Sequence, residues 1–281
     1  MLRLSPNFRY PECNAMQTKY RYEEFTWPEI RDAVAQNRVA VLPVGTVEQH
    51  GPHLPLVTDV LTSTEMSRRA VERVPDAAVL MPSVYYSFNE HHMDFPGTIA
   101  VQGPTIINYV TDIGLSLAHH GFRKILLVNG HGSNVPFLDV AARNVTNRSE
   151  AICAMVSWWS LIPRELFREL RESEYPGGMA HGCELETSVL LYLRPDLVRM
   201  EKAEKDINFQ RTEFFYWDLE NASPVFFQEW FSRYSKTGTV GDPTKASAAK
   251  GERFAGAVVD RLVTLIGEFR AKEIAKRVDH H

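Results

Sequence analysis

Three features of this 281-residue chain predict an α/β fold, a three-layer α/β/α arrangement around a mostly parallel sheet. Short aliphatic runs alternate with stretches of helical periodicity, the order that builds parallel sheets covered by helices. Several runs are apolar at successive positions, as strands buried on both faces must be. Polar clusters follow two of the runs directly, where an open α/β sheet presents its ligand crevice.

The elements can be taken in chain order. After a polar lead-in, residues 38–45 (RVAVLPVG) form a β-branched run that ends in glycine and reads as a buried strand. Residues 60–74 place Leu61, Met66, Ala70 and Val71 at helical spacing, and residues 77–84 (AAVLMPSV) form a second apolar run that Pro82 weakens as a strand. Residues 104–120 carry Ile106, Val110, Ile113, Leu117 and Ala118 on one helical stripe, stopped by Gly121. Residues 124–128 (KILLV) are the clearest strand. A helix over 134–147, capped by Ser133 or Asn134, and a strand over 151–157 follow. Residues 161–178 are charged and punctuated by Pro and Gly, which suggests an insertion or lid. Residues 183–193 and 245–268 read as helices, and 208–231 is rich in aromatics without a clear period. A single domain over 1–281 accommodates all of this, with a poorly defined lead-in over 1–25.

Composition narrows the function classes. With 44% hydrophobic and 23% charged residues the chain is an ordinary globular protein. A net charge of -4 and a pI near 6.2 supply no basic field for phosphate backbones or anionic lipid. Nucleic acid and membrane are therefore disfavoured as partners, and a small molecule or peptide is favoured. Cys13, Cys153 and Cys183 lack paired spacing and read as free thiols in a reducing compartment. No run of about 18 apolar residues and no signal-peptide core occurs, so a cytoplasmic location is expected. His280 and His281 read as a tag remnant or frayed end and are set aside.

Four polar clusters carry the chemistry: Glu48-Gln-His50-Gly-Pro-His53 with Asp59, residues 89–92 (NEHH), residues 129–134 (NGHGSN), and His181-Gly-Cys-Glu184-Leu-Glu186. Imidazole with carboxylate is a ligand set for Zn²⁺, Mn²⁺ or Fe²⁺, and one carboxylate can bridge two ions. No Gly-x-Ser-x-Gly elbow is present and Cys183 has no evident basic partner, which weakens covalent catalysis.

The stretches GTVEQHGPHLPLVTD (45–59), FPGTI (95–99), LLVNGHGSN (126–134) and HGCELETSVLLYLRPDLV (181–198) resemble the creatininase family, in that family's order, across roughly residues 38–200, with a weaker echo at 241–251. The resemblance implies a metal-dependent amidohydrolase of α/β fold, commonly hexameric, acting on a small-molecule amide. It implies one or two divalent ions per chain, zinc foremost, with a first metal site at Glu48, Asp59 and His131 and a second at His50 bridged through Asp59. It further implies His181 as the catalytic histidine, passing a proton to the leaving nitrogen, with Glu186 orienting it. Ser133 departs from creatininase itself, which has a glutamate ligand at that place. Either the second site is weak or another carboxylate fills it, and Glu184, three residues from His181, is the candidate. The departure argues against creatinine as substrate, and family members with the same Asn-Gly-His-Gly pattern include a deformylase and a peptidase-like enzyme that trims a peptide cofactor precursor. A non-catalytic metal-binding scaffold is the reading from another class. Residues 89–93, Trp158 and Trp159 are further candidates for pocket lining.

Overall fold

The computed structural model describes residues 18–281, so Cys13 and most of the lead-in lie outside the described residues. Strands β1 (Val39–Val44), β2 (Ala78–Leu80), β3 (Lys124–Asn129) and β4 (Ile152–Ser157) form a parallel sheet in the order β2-β1-β3-β4. Successive side chains of a strand point to opposite faces, and here both faces are buried. Val39, Val41, Leu126 and Val128 pack against Met66, Leu185, Val189, Phe254 and Val258, which lie on helices α2 (Thr58–Arg73), α6 (Glu184–Leu193) and α7 (Ala248–Ala271). Ala40, Leu42, Val44, Ile125 and Leu127 pack on the other face against Ile106, Val110, Leu138 and Ala141 of helices α3 (Gly103–His119) and α4 (Val135–Arg148). Each Val, Leu or Ile buried this way contributes about 1.5–3 kcal/mol, so continuous apolar runs are what a sheet covered on both faces requires.

Topology fixes where a ligand can sit. The chain leaves β1 for β2 on one side and later returns to β3 on the other, and Val44 pairs with Asn129, so the two strands end level. The crevice outside those two carboxyl ends is the switch point of the sheet. Gly121, with φ of 101°, closes α3 as the left-handed residue after the helix.

Several elements differ from the sequence-based expectation. Helix α1 (Trp27–Ala35), between the lead-in and β1, was not expected; its signal is the capping box of Thr26 with Glu29 and the proline in its first turn. Inside residues 161–178 lies α5 (Arg164–Leu170), and Phe167 from it packs on Phe254 in the core with ring centroids 5.8 Å apart. Trp158 also joins that core and does not line the crevice. A two-stranded antiparallel sheet, β5 (Met179–His181) with β6 (Val240–Gly241), was not anticipated; both strands are too short to leave a periodic trace. Residues 208–231 stay irregular and are held by ring stacking, with Trp217 4.5 Å from both Phe227 and Tyr234.

Candidate metal centre

Loops at the switch point gather four carboxylate or imidazole groups from two strand ends. Glu48 and His50 lie in the loop after β1, Asp59 is the second residue of α2, and His131 follows β3. Two glycines permit this. A Cβ on Gly45 would stand 2.5 Å from the Val60 nitrogen, and one on Gly130 would stand 2.3 Å from the Asp59 carbonyl oxygen. Backbone without side chains at both strand ends lets the first turn of α2 drop between them, and the positive end of its dipole favours the Asp59 carboxylate there.

Asp59 divides its two oxygens. Oδ1 lies 3.0 Å from His50 Nε2 and Oδ2 lies 3.3 Å from His131 Nδ1. Glu48 Oε1 lies 3.2 Å from His131 Nδ1, 3.6 Å from His92 Nε2 and 3.7 Å from His181 Nδ1. Glu186 Oε1 lies 3.9 Å from His50 Nε2. Three sets of groups bring ligand atoms within 4.8 Å of one another: Glu48, His50 and Asp59; His50, His181 and Glu186; and Glu48, His92 and His181. All of these residues are buried.

The donor set fits divalent cations. Glu48 Oε1 and Oε2, His50 Nε2 and Asp59 Oδ2 are buried without a hydrogen-bond partner, although Glu48 Oε1, His50 Nε2 and Asp59 Oδ2 lie within ion-pair distance of neighbours. Burying such atoms without a partner costs several kcal/mol, and a cation coordinated by all of them removes that cost. The charge balance agrees. Burial pulls the His131 imidazole down, but Glu48 and Asp59 outweigh it and lift it to about 10. Burial likewise acts against His50, and Asp59 outweighs it to lift the ring to about 9. Burial works against the Asp59 charge too, but His50 and His131 hold that carboxyl well below its usual range. Burial lifts Glu48, only partly offset by His131, and lifts Glu186 to about 7, partly offset by His50. The pocket thus draws positive charge onto its imidazoles, which is what a cation would replace.

Backbone carbonyls fix the ring orientations. His50 Nδ1 faces the Glu48 carbonyl at 3.3 Å, His131 Nε2 faces that of Phe88 at 3.0 Å, and His181 Nε2 faces that of Gln49 at 2.7 Å. A ring nitrogen donating to a carbonyl leaves its opposite nitrogen with a lone pair, and in all three rings that opposite nitrogen faces the carboxylates. His92 is arranged the other way. The Gln49 amide accepts from the Gly51 N–H through its oxygen at 2.9 Å, so its nitrogen donates to the Gly238 carbonyl at 3.0 Å and to His92 Nδ1 at 2.8 Å. His92 therefore carries its proton on Nε2 and aims a donor at Glu48. His92 was expected only as a pocket-lining residue and Gln49 was given no role; their partners lie about 40 and 190 residues away in the chain, beyond the reach of local pattern.

Residues 23–266 match the sequence profile of the creatinine amidohydrolase family, creatininase. The chain belongs to the creatininase family. Among its relatives, the creatinine amidohydrolase of Pseudomonas putida is 30% identical over 259 residues, covering 87% of this chain and 95% of the relative. The mycofactocin precursor peptide peptidase of Mycobacterium tuberculosis is 30% identical over 245 residues, covering 82% of this chain and 84% of the relative. The crystal structure of creatininase superposes with a TM-score of 0.77 at 29% identity, covering 91% of this chain and 99% of that one. A mutant creatininase of Zn–Zn type and creatininase with Mn superpose at TM-scores of 0.76 and 0.75, both at 29% identity, and cover 90% of this chain and 99% and 100% of theirs.

In this creatininase-family chain, Ser133 turns its hydroxyl to His91 Nε2 at 3.1 Å. Glu184, expected to compensate for Ser133, does not face the centre. Its carboxylate accepts from the Ser173 N–H at 2.8 Å, from the Glu172 N–H at 3.1 Å and from Lys250 Nζ at 2.5 Å. The spacing argument fails because His181 ends strand β5 and Gly182 turns the chain with φ of 57°, so His181 and Glu184 share no helical face. Glu186, two positions on in α6, is the glutamate that points inward. It does not hydrogen-bond His181: its Oε2 accepts from the Cys183 N–H at 3.4 Å and faces the Cys183 thiol at 3.6 Å, while the Gln49 carbonyl orients His181.

Proposed function

We propose that the chain hydrolyses a C–N amide bond of a small molecule, using one or two divalent cations, Zn²⁺ or Mn²⁺, held by Glu48, His50, Asp59, His131 and Glu186. The observation that carries this reading is the Asp59 carboxylate, with one oxygen toward His50 and the other toward His131 and the unpartnered Glu48 oxygens beside it. On these pairwise distances, Glu48, Asp59 and His131 would hold one cation, and His50 with Asp59 on one side and Glu186 on the other would hold a second. The forms in which creatininase has been solved support the choice of metals.

A divalent cation in such a site supplies Lewis acidity, polarising a carbonyl and acidifying a coordinated water. His181 moves the proton. Its Nε2–H is committed to the Gln49 carbonyl, so Nδ1 is the nitrogen free to take a proton from the attacking water and hand it to the leaving nitrogen. Burial, reinforced by His50, holds this imidazole well below its ordinary value and so in the accepting form. His92 turns its Nε2 toward Glu48 Oε1 at 3.6 Å, too far for a hydrogen bond, so the Glu48 oxygens stay open to a cation. Burial pushes the Cys183 thiol well above its ordinary value, which argues against a thiolate nucleophile.

The test is metal analysis of the protein as purified, together with a screen of cyclic amides, formamides and short peptides before and after chelation. Activity lost on chelation and restored by Zn²⁺ or Mn²⁺ supports the reading. Metal-replete protein that cleaves no C–N bond in the panel overturns it.

The functional unit is read as a homo-oligomer, a hexamer by family resemblance. Tyr85, Tyr86, Met93, Ile99 and Tyr109 leave large apolar side chains exposed, as an interface would need. Among the described residues no helix is long and apolar enough to cross a membrane. Cys153 and Cys183 are free and buried, which is in keeping with a cytoplasmic location.

A further inference from the structure

One ring reaches the centre from the irregular aromatic segment. Phe231 lies 3.9 Å, centroid to centroid, from His92, 4.8 Å from His181 and 5.9 Å from His91. Its partner on the far side is Tyr234 at 5.1 Å, and Tyr234 leans on Trp217. A core phenylalanine is wrapped by aliphatic groups; this one is half-buried and lies against three imidazoles, two of which face Glu48. At 3.9 Å from His92 the ring leaves no slot for a planar group between them.

The segment is clamped where it carries the ring. Ser232 donates its hydroxyl to Asp94, and the Phe231 carbonyl accepts from the Ser235 N–H at 3.0 Å. Asp206 Oδ2 accepts from the Ser235 hydroxyl and from the Lys236 and Thr237 N–H groups at 3.0–3.2 Å. The turn that follows packs on Gln49, where a Cβ on Gly238 would stand 1.8 Å from the Gln49 amide oxygen. The residue that sets the His92 tautomer thus also fixes the base of the segment that carries Phe231.

We infer that Phe231 is a specificity-determining residue: it walls the pocket over His92 and His181 and admits compact amides while excluding extended chains such as peptides. The inference rests on the hydrolase reading above. Removing the ring should open the pocket on that side, and pocket size acts strongly on selectivity, about 10–200-fold for each methylene gained or lost.

The experiment compares wild type with Phe231→Ala, each loaded with Zn²⁺ or Mn²⁺, on cyclic amides, formamides and short peptides. The expected result is a ratio of kcat/KM for peptides over compact amides that rises by about tenfold or more in the variant. In metal-free protein, diethylpyrocarbonate should modify His92 and His181 faster in the variant, with the exposed His119 and His120 unchanged as internal controls. Unchanged substrate ratios overturn the inference, whatever the labelling shows. Where wild type turns over nothing in the panel, the hydrolase reading fails instead, and labelling decides whether Phe231 covers the histidines: faster labelling supports the wall and equal labelling overturns it. Phe231→Leu, which keeps apolar bulk but lacks the ring, carries the same comparison if the alanine variant does not fold.

Discussion

Asp59 Oδ1 stands 3.0 Å from His50 Nε2 while the other oxygen of the same carboxylate faces His131 Nδ1 at 3.3 Å. On the function proposed above, that one side chain serves both halves of the centre. Changing an outer partner of a metal ligand already costs about 10–100-fold in affinity or activity, and losing a shared ligand must cost more. Asp59→Ala is expected to lose bound metal from both positions and at least about 100-fold in kcat/KM. Metal analysis and kinetics check this; a variant with wild-type metal content shows that Asp59 is not shared.

The metal-stripped protein should lose stability as the pH rises. His50 is lifted from 6.5 to about 9 and His131 from 6.5 to about 10, so the folded chain holds these protons where the unfolded chain has released them. Their contribution is complete below pH 6.5 and is lost as pH climbs through 9 and 10. Glu186, lifted from 4.5 to about 7, acts in the same sense between those values. Asp59 acts oppositely, with its contribution present above 3.8 and lost on acidification. Calorimetry of stripped protein should therefore show the Tm falling from pH 5 to pH 9, with a much flatter profile after metal loading, because the cation replaces those protons. Equal slopes with and without metal would contradict the assignment. Metal uptake at neutral pH should also release about two protons per chain, readable with an indicator dye.

Glu184 bears on stability and not on the metal. It is fully buried and holds Lys250 Nζ at 2.5 Å together with two backbone N–H groups. Breaking a buried pair from one side costs about 3–5 kcal/mol; the lower end is expected here because Lys250 keeps Glu172 at 2.8 Å. Glu184→Ala should lower the Tm at unchanged metal content per folded chain, and metal loss without a change in Tm would return Glu184 to the centre.

The difference between Glu184 and Glu186 shows what was legible in the sequence. Strand and helix runs were readable because burial on both faces of a parallel sheet leaves unbroken aliphatic stretches, as in β3. That residues 48–59 and 131–134 meet was readable because both stretches follow strands at the carboxyl edge of the sheet, whereas the choice of Glu48, His50, Asp59 and His131 as candidate ligands came from the resemblance to the creatininase family. Which of two glutamates turns inward depends on Gly182 and on a lysine 66 residues downstream, and neither leaves a local signal. The same holds for Phe231, delivered by a segment without periodicity, whereas α1 had a local signal, the capping box of Thr26 with Glu29, that was passed over.

The two glycines flanking His131 should respond differently to the same substitution. Gly130 has no room: its Cβ would lie 2.3 Å from the Asp59 carbonyl oxygen and 3.1 Å from Ser63 Cβ. Gly132 has open space, with nothing within 4 Å of its Cβ. Backbone cannot yield as a flexible side chain does, so Gly130→Ala must push the first turn of α2 away from the end of β3, taking Asp59 with it. Overpacking of this kind costs about 1–3 kcal/mol, and a carboxylate that stands 3.3 Å from His131 cannot move far without leaving the cation. Gly130→Ala is therefore expected to fold with lowered Tm and sharply weakened metal affinity, while Gly132→Ala keeps both near wild type. Titration of each purified variant with Zn²⁺, followed by calorimetry, makes the comparison. If both variants bind metal as wild type does, Asp59 is not positioned by the close approach of α2 to Gly130.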